Sequence, residues 1–350
     1  MEITPRARVM AVLRGEGTEK TPFTVYSDKL PACAVERRLR NRGLCPVQRI
    51  TSYKVSYPNV KVTENNYFDA KGNKQIRTIY STPKGDLTTL HHRAVFTDWW
   101  HERMFKTPND YKSLLFMIKD AVVQPDYETA AQVVADLGDD FVVRDQVPLE
   151  PLQAFITGTY MAMETFCMEW MDNRDEILKL VDAYVEFVRK IYPIAAAGPL
   201  DFANYGGNVV PQVIGEQVFR EYYIPHYNEA AEIFHNHGKL LGTHLDAENT
   251  PIMKAIGETD LDYIEAYDPG ISPSVGEALK TWPDKVLWIN WPSAWHLKTE
   301  EEVRECTRQM IREASPGNRF IIGITEDVPA HRWRGNFEAI MDGIDAEASR

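Results

Sequence analysis

The chain is predicted to be an α/β protein, a (β/α)8 TIM barrel with a small antiparallel β elaboration near its amino terminus. Short apolar runs that read as strands alternate with helical patterns along most of the sequence, which implies a parallel sheet. Counting from Phe23 there are about eight such strands, the number a closed barrel needs. No G-x-G-x-x-G or P-loop follows any of them, which counts against a doubly wound open sheet. A length of 350 residues, 44% hydrophobic and 26% charged, fits one such barrel with insertions. We therefore expect one barrel domain over residues 1–350, with 50–95 as a β-rich insertion.

Thr4–Arg14 is patterned as an amphipathic helix ended by Gly15. Thr21–Tyr26 is the first strand, and it stops at a polar turn containing Asp28. Cys33–Gly43 is a basic helix closed by glycine. From Ile50 to Val95 short β-type runs alternate with Asn-Asn, Lys-Gly and Lys-Gly-Asp turns. Trp99 and Trp100 follow, placed either to wall a pocket or to pin the elaboration. Beyond a Thr-Pro helix entry at Thr107, strands are expected at Ala121–Gln124, Phe141–Val143, Leu200–Tyr205, Lys239–Gly242, Leu261–Tyr267, Val286–Trp291 and Arg319–Thr325. The intervening helices include Leu152–Met171 and Thr299–Ser315, the latter with a Thr299/Glu302 capping box.

A net charge of −12 argues against a nucleic-acid partner and against adhesion to an acidic membrane. The start lacks the apolar core of a signal peptide, and no stretch is long enough to span a bilayer, so a cytoplasmic protein is expected. Cys33, Cys45, Cys167 and Cys306 are scattered, without C-x-x-C, and read as free thiols. A metal site in this chain must therefore lean on His, Asp and Glu.

Barrel chemistry sits at the carboxyl ends of the strands. Those ends supply Asp28, Arg144 and Asp145, Asn204 and Tyr205, His244 and Asp246, Glu265, Asn290 and Trp291, and Glu326. His244 and Asp246 are two apart at the end of a buried strand, so both side chains leave one face of an extended chain. With Glu265 and Glu326 from later strands they make a plausible site for zinc or another divalent ion. The alternatives are an acid/base cluster without metal, or a loop in which Asp246 caps the next helix. No Gly-x-Ser-x-Gly elbow is present and no cysteine has a nearby histidine, which disfavours covalent catalysis.

The stretches RARVMAVLRGEGTEKTPF, TPNDYKSL, VIGEQVFREYYIPHYNEAAEIFHNHGKLLGTHLDAEN, EEVRECTRQMIREASPGNRFIIGITEDVP and GNFEAIMDGI are spread over most of the chain. Together they resemble the uroporphyrinogen decarboxylase superfamily, which includes methyltransferases acting with corrinoid proteins. The resemblance implies a (β/α)8 barrel with its site at the carboxyl face. The Arg-Gln-Ala-Gly-Arg loop of the porphyrinogen decarboxylases is replaced here by YSDKLPACAVERRLR. The His-x-Cys and later Cys that hold zinc in thiol- and methanol-linked members correspond to His244, Asp246 and roughly Glu326. The resemblance thus implies the same site in oxygen-ligand form, which suits an oxygen substrate.

The expected activity is that of the methyltransferase component of an aromatic O-demethylase. A small methoxy-arene would bind beside zinc, and its methyl group would pass to a corrinoid carried by a separate cobalamin-binding protein. Catalytic roles are expected for Asp28, Asp145, Asn204 and Tyr205, and substrate contacts for Tyr26, Trp99, Trp100, Arg144, Asn290 and Trp291. A homodimer is compatible with this reading. The alternatives are a lyase that decarboxylates a tetrapyrrole or another carboxylate, with Asp28 or Asp145 as the acid, and a barrel retained only as a scaffold.

Overall fold

Eight parallel strands close on themselves in the computed structural model, which describes residues 3–93, 98–158 and 160–348. The strands are β1 (Phe23–Tyr26), β2 (Leu44–Arg49), β3 (Val142–Val147), β4 (Phe202–Tyr205), β5 (Leu240–His244), β6 (Tyr263–Tyr267), β7 (Val286–Asn290) and β8 (Phe320–Ile324). Each pairs with its neighbour in sequence, and β1 also pairs with β8, with Phe23 opposite Ile322. The fold is therefore the expected (β/α)8 barrel.

One expected barrel strand is corrected. Ala121–Gln124 does not enter the barrel: Val122–Pro125 pairs antiparallel with Tyr53–Ser56. The second barrel strand is Leu44–Arg49, where Pro46 sits opposite Val25. A proline removes a ladder donor, so a proline-bearing run does not read as an interior strand.

The inner layer at the amino-terminal end is apolar. Val142, Phe202, Tyr263 and Val286 are the first residues of their strands, and they cluster with Trp288, Cys45 and Val47. Helix Pro5–Leu13 adds Val9, Met10, Val12 and Leu13 to this cluster, so it covers that end of the barrel. Thr4 caps the helix, its hydroxyl accepting from Ala7 N at 3.2 Å, and Pro5 occupies the first turn. Trp288 is fully buried and donates through Nε1 to Thr24 Oγ1 at 2.9 Å. The capping box at Thr299/Glu302 is present at the start of helix Glu300–Glu313.

Gly242 shows how tightly the interior is filled. It sits beside Tyr263 in the β5–β6 register, and a Cβ there would lie 2.3 Å from the Tyr263 ring. The missing side chain lets Tyr263 lie across the strand and donate to Asn204 Oδ1 at 2.6 Å. Gly242→Ala is expected to destabilise the protein by about 1–3 kcal/mol, the usual cost of overpacking. A chemical-denaturation midpoint equal to wild type would refute this.

The chain divides into two compact units. The barrel unit falls within Met1–Ser52, Tyr127–Gln146 and Ala195–Arg350, and the second within Tyr53–Asp126 and Val147–Ile194. The second unit holds the antiparallel pair Tyr53–Ser56 with Val122–Pro125, and an antiparallel sheet of Lys61–Phe68, Lys74–Thr82, Gly85–Arg93 and Asp98–Glu102. The insertion expected over 50–95 has its carboxyl boundary at Val95, outside the described residues; antiparallel strands reach Glu102. Asn65-Asn66 is not a turn: both pair within the first sheet strand, opposite Arg77 and Ile76. Every residue of that strand is exposed, so no alternation marks it. The true turn runs from Asp69 to Asn73, where Asp69 Oδ1 accepts from Lys71 N and Asn73 N.

The helix expected over Leu152–Met171 is two helices, Gln153–Ile156 and Met163–Asp172. At Gly158 an added Cβ would meet Ala154 O at 2.2 Å. Thr159 lies outside the described residues. No helix among the described residues is long and apolar enough to cross a membrane, and the four cysteines are unbridged.

Candidate metal and acid/base site

At the carboxyl ends of β1, β3, β4, β5 and β6 a polar network fills the barrel. Alternation along each strand sends Tyr26, Arg144, Asn204, His244 and Glu265 into it. Glu265 is its centre and is fully buried. Its Oε2 accepts from the Tyr26 hydroxyl at 2.7 Å and from Asn204 Nδ2 at 2.6 Å. The same oxygen is ion-paired with Arg144 and lies 3.2 Å from His244 Nδ1. Tyr263 supports Asn204 from below through the bond described above.

The charges follow from this packing. Burial would raise the Glu265 pKa, but the Arg144 guanidinium and the His244 and Tyr26 bonds hold it well below the usual carboxylate range. Burial likewise works against the Arg144 charge, and Glu265 more than restores it. Tyr26 is pushed up chiefly by burial and stays a neutral donor. Burial alone would depress His244, yet its bonds to Asp246 and Glu265 raise it to about 9.

The other edge of the His244 ring meets a second acidic group. Ligand atoms of His244, Asp246 and Glu326 all lie within 4.8 Å of one another. His244 Nε2 is 3.7 Å from Asp246 Oδ2. Burial raises Glu326, His244 opposes that, and the nearby Asp246 adds to it. Two carboxylates held together on one imidazole favour a cation.

This donor set fits a divalent ion. Zinc takes nitrogen and carboxylate oxygen at about 2.0–2.2 Å, so its ligands sit about 3–4 Å apart, within side-chain adjustment of the observed spacing. Catalytic zinc keeps three protein ligands and an open position. Glu265 at Nδ1 leaves Nε2 for the Asp246/Glu326 side, the arrangement by which an outer carboxylate orients a metal-binding histidine.

Backbone devices hold the ring and its partner. Gly206, Gly207 and Asn208 after β4 all have positive φ, and Asn208 N donates to His244 O at 3.2 Å. A Cβ on Gly207 would fall 2.9 Å from His244 Cβ. On β6 the register to β7 jumps between Glu265 and Tyr267, leaving Ala266 as an extra residue at φ 61°. The bulge keeps Glu265 inward and turns Tyr267 out, where its ring meets Trp282 edge-on at 5.6 Å. A left-handed alanine costs about 1–3 kcal/mol, against about 0.5–1 kcal/mol for glycine's flexibility. Ala266→Gly is therefore expected to stabilise the fold by about 1 kcal/mol, read as a higher denaturant midpoint; a lower midpoint would contradict the strain at this position.

Not every strand-end residue joins the network. Asp145 is buried, accepts from Ser52 N at 3.1 Å and Gln146 N at 2.8 Å, and takes the Ser52 hydroxyl. Its pKa is raised by burial, and its bonds tie the chain after β2 to β3. Asn290 Oδ1 accepts from Thr325 N at 2.9 Å, joining β7 to the end of β8. Tyr205 turns outward against Tyr227, edge-on at 5.4 Å. Trp291 is fully buried, edge-on to Trp295 at 5.8 Å. Asp28 pairs with Arg49 at 2.9 Å, and the Arg49 guanidinium lies 4.0 Å over the Tyr26 ring. Trp99 and Trp100 belong to the second unit's sheet, Trp99 exposed and Trp100 against His91 at 4.7 Å.

Sequence reasoning missed Tyr263, Gly207 and Arg49. Tyr263 is two residues before Glu265 and shares its face, a spacing visible in the sequence. The Gly206-Gly207 pair at a strand end is a similar signal.

No family model and no curated protein matches the chain. Among solved structures, a methyltransferase from Methanosarcina mazei is similar at TM-score 0.60 and 11% identity, over 99% of each chain. A B12-independent methionine synthase from Shewanella sp. W3-18-1 aligns at TM-score 0.42 and 10% identity, over 89% of this chain and 84% of that one. At these identities the likeness is one of fold: this chain shares its barrel architecture with the Methanosarcina mazei methyltransferase from end to end.

Proposed function

We propose that the protein is a metal-assisted methyltransferase that takes a methyl group from a methoxylated aromatic compound such as vanillate. The acceptor is the cobalt(I) of a corrinoid carried by a separate protein, acting as second substrate. The carrying observation is the convergence of His244, Asp246 and Glu326 at the carboxyl end of the barrel, backed by Glu265. The likeness in fold to a protein named as a methyltransferase agrees with it.

In this reading His244, Asp246 and Glu326 would hold zinc or a similar ion. Bound there, the ion supplies Lewis-acid stabilisation to the oxygen that loses its methyl group. The methyl carbon–oxygen bond breaks, the carbon takes an electron pair from cobalt(I), and the phenolate takes up a proton. The chain's own residues orient and insulate. Glu265, fixed by Arg144, Asn204 and Tyr26, sets the His244 ring, and the Gly206–Asn208 turn packs on its backbone. Tyr26 keeps its proton and can donate it only to an acceptor inside the network.

The lyase reading draws less support, because Asp145 is engaged by Ser52 and Gln146 and Arg144 is ion-paired with Glu265. The deciding experiment combines metal analysis of the purified protein with a demethylation assay on vanillate and a cobalt(I) corrinoid protein. Stoichiometric metal and methyl transfer are expected. Metal-free protein that decarboxylates a porphyrinogen would overturn the proposal.

A further inference from the structure

The second unit carries an open cavity of about 400 Å³ whose walls are unlike those of the barrel network. Tyr57, Tyr80, Tyr160 and Tyr184 line it together with Met104 and Met117, and no charged side chain is among its described lining residues. Both methionines and Tyr184 are buried. The wall is braced from within. Tyr160 stacks on Phe155 at 5.4 Å and meets Tyr184 edge-on at 5.8 Å, and Tyr184 meets Phe155 at 5.9 Å. The Tyr160 hydroxyl is bonded to that of Tyr57. Ala154, at the start of the helix that carries Phe155, is a wall residue, and its small side chain keeps the space open.

We propose that this cavity binds a small uncharged monocyclic aromatic molecule bearing a hydroxyl or methoxy oxygen. A cavity of about 150 Å³ already accepts benzene, so this one holds a substituted ring. Aromatic faces and methionine sulfurs supply apolar, ring-favouring contact. The tyrosine hydroxyls supply polar points for one oxygen substituent, the mix of apolar lining and few polar groups found in small-molecule sites. With no cation among the described wall residues, a carboxylate is a poor occupant, because its charge would be desolvated unpaired. The lining residues all belong to the second unit, and the proposal does not rest on the methyl-transfer reading.

The test is calorimetric titration of the full chain with guaiacol, toluene and benzoate in the presence of a chelator. Guaiacol is expected to saturate one site per chain at about millimolar Kd or better, with benzoate at least about tenfold weaker. Ala154→Leu should abolish guaiacol binding by filling the space. Tyr160→Phe keeps the shape and should weaken guaiacol about fivefold, one hydrogen bond's worth, while sparing toluene. If Ala154→Leu fails to fold, the Tyr160→Phe comparison of guaiacol with toluene decides. No saturable binding, equal binding of benzoate, or binding lost in His244→Ala but kept in Ala154→Leu would overturn the proposal.

Discussion

If the proposed function holds, replacing His244 with alanine abolishes metal binding and with it methyl transfer. Outer partners of metal ligands typically cost about 10–100-fold in affinity, so loss of the imidazole itself should cost at least about 100-fold. The same residue sets the pH dependence. His244 without metal is held at about 9, above its unfolded value of about 6.5, so at neutral pH it carries a proton that a metal must displace. Zinc binding to wild type at pH 7 should release about one proton through this residue, and affinity should climb with pH until about 9. Calorimetry in buffers of different ionisation heat measures both. Binding without proton release, or undiminished zinc in His244→Ala, would sink the assignment. Without metal the sign for folding is opposite. The stabilisation His244 draws from Asp246 and Glu265 is complete below about pH 6.5 and fades as pH rises through about 9.

The second large effect is expected at Arg144. Removing one member of a buried ion pair strands the other, at about 3–5 kcal/mol. Arg144 and Glu265 are both buried, and Arg144 is the main reason Glu265 remains charged. Arg144→Met should therefore lower stability by that amount, measured by denaturant unfolding. Adding Glu265→Gln to it should recover part of the loss, since the stranded charge is then gone. The pH window follows from the depressed Glu265 pKa. Wild type holds the full contribution above about pH 4.3 and loses it as pH falls through the folded value. The gap between wild type and Arg144→Met should consequently narrow on acidification. A gap that widens would show that Glu265 is not the partner responsible.

Much of the barrel is legible in sequence because its late strands are short apolar runs with an abrupt polar end. His244 and Asp246 stand out by their spacing of two, and Glu326 by its place after RFIIGIT. What sequence could not separate is which strand-end polar groups face one another. Asp145 and Asn290 look as reactive as Glu265, yet one ties down Ser52 and the other Thr325. Outward or inward aim depends on strand parity, and Tyr205 beside Asn204 shows that adjacent polar residues take opposite sides. Leu44–Arg49 stayed hidden because its proline argues locally against the strand that the surrounding barrel imposes.

The unmatched alanine on β6 puts the two ends of that strand out of phase. Up to Glu265 odd-numbered positions look toward the axis; beyond it Tyr267 does not. A regular eight-stranded scaffold carrying the same carboxylate would thus swing a bulky phenol into the mouth beside it. Anyone transplanting this constellation into an idealised barrel has to bring the supernumerary residue along.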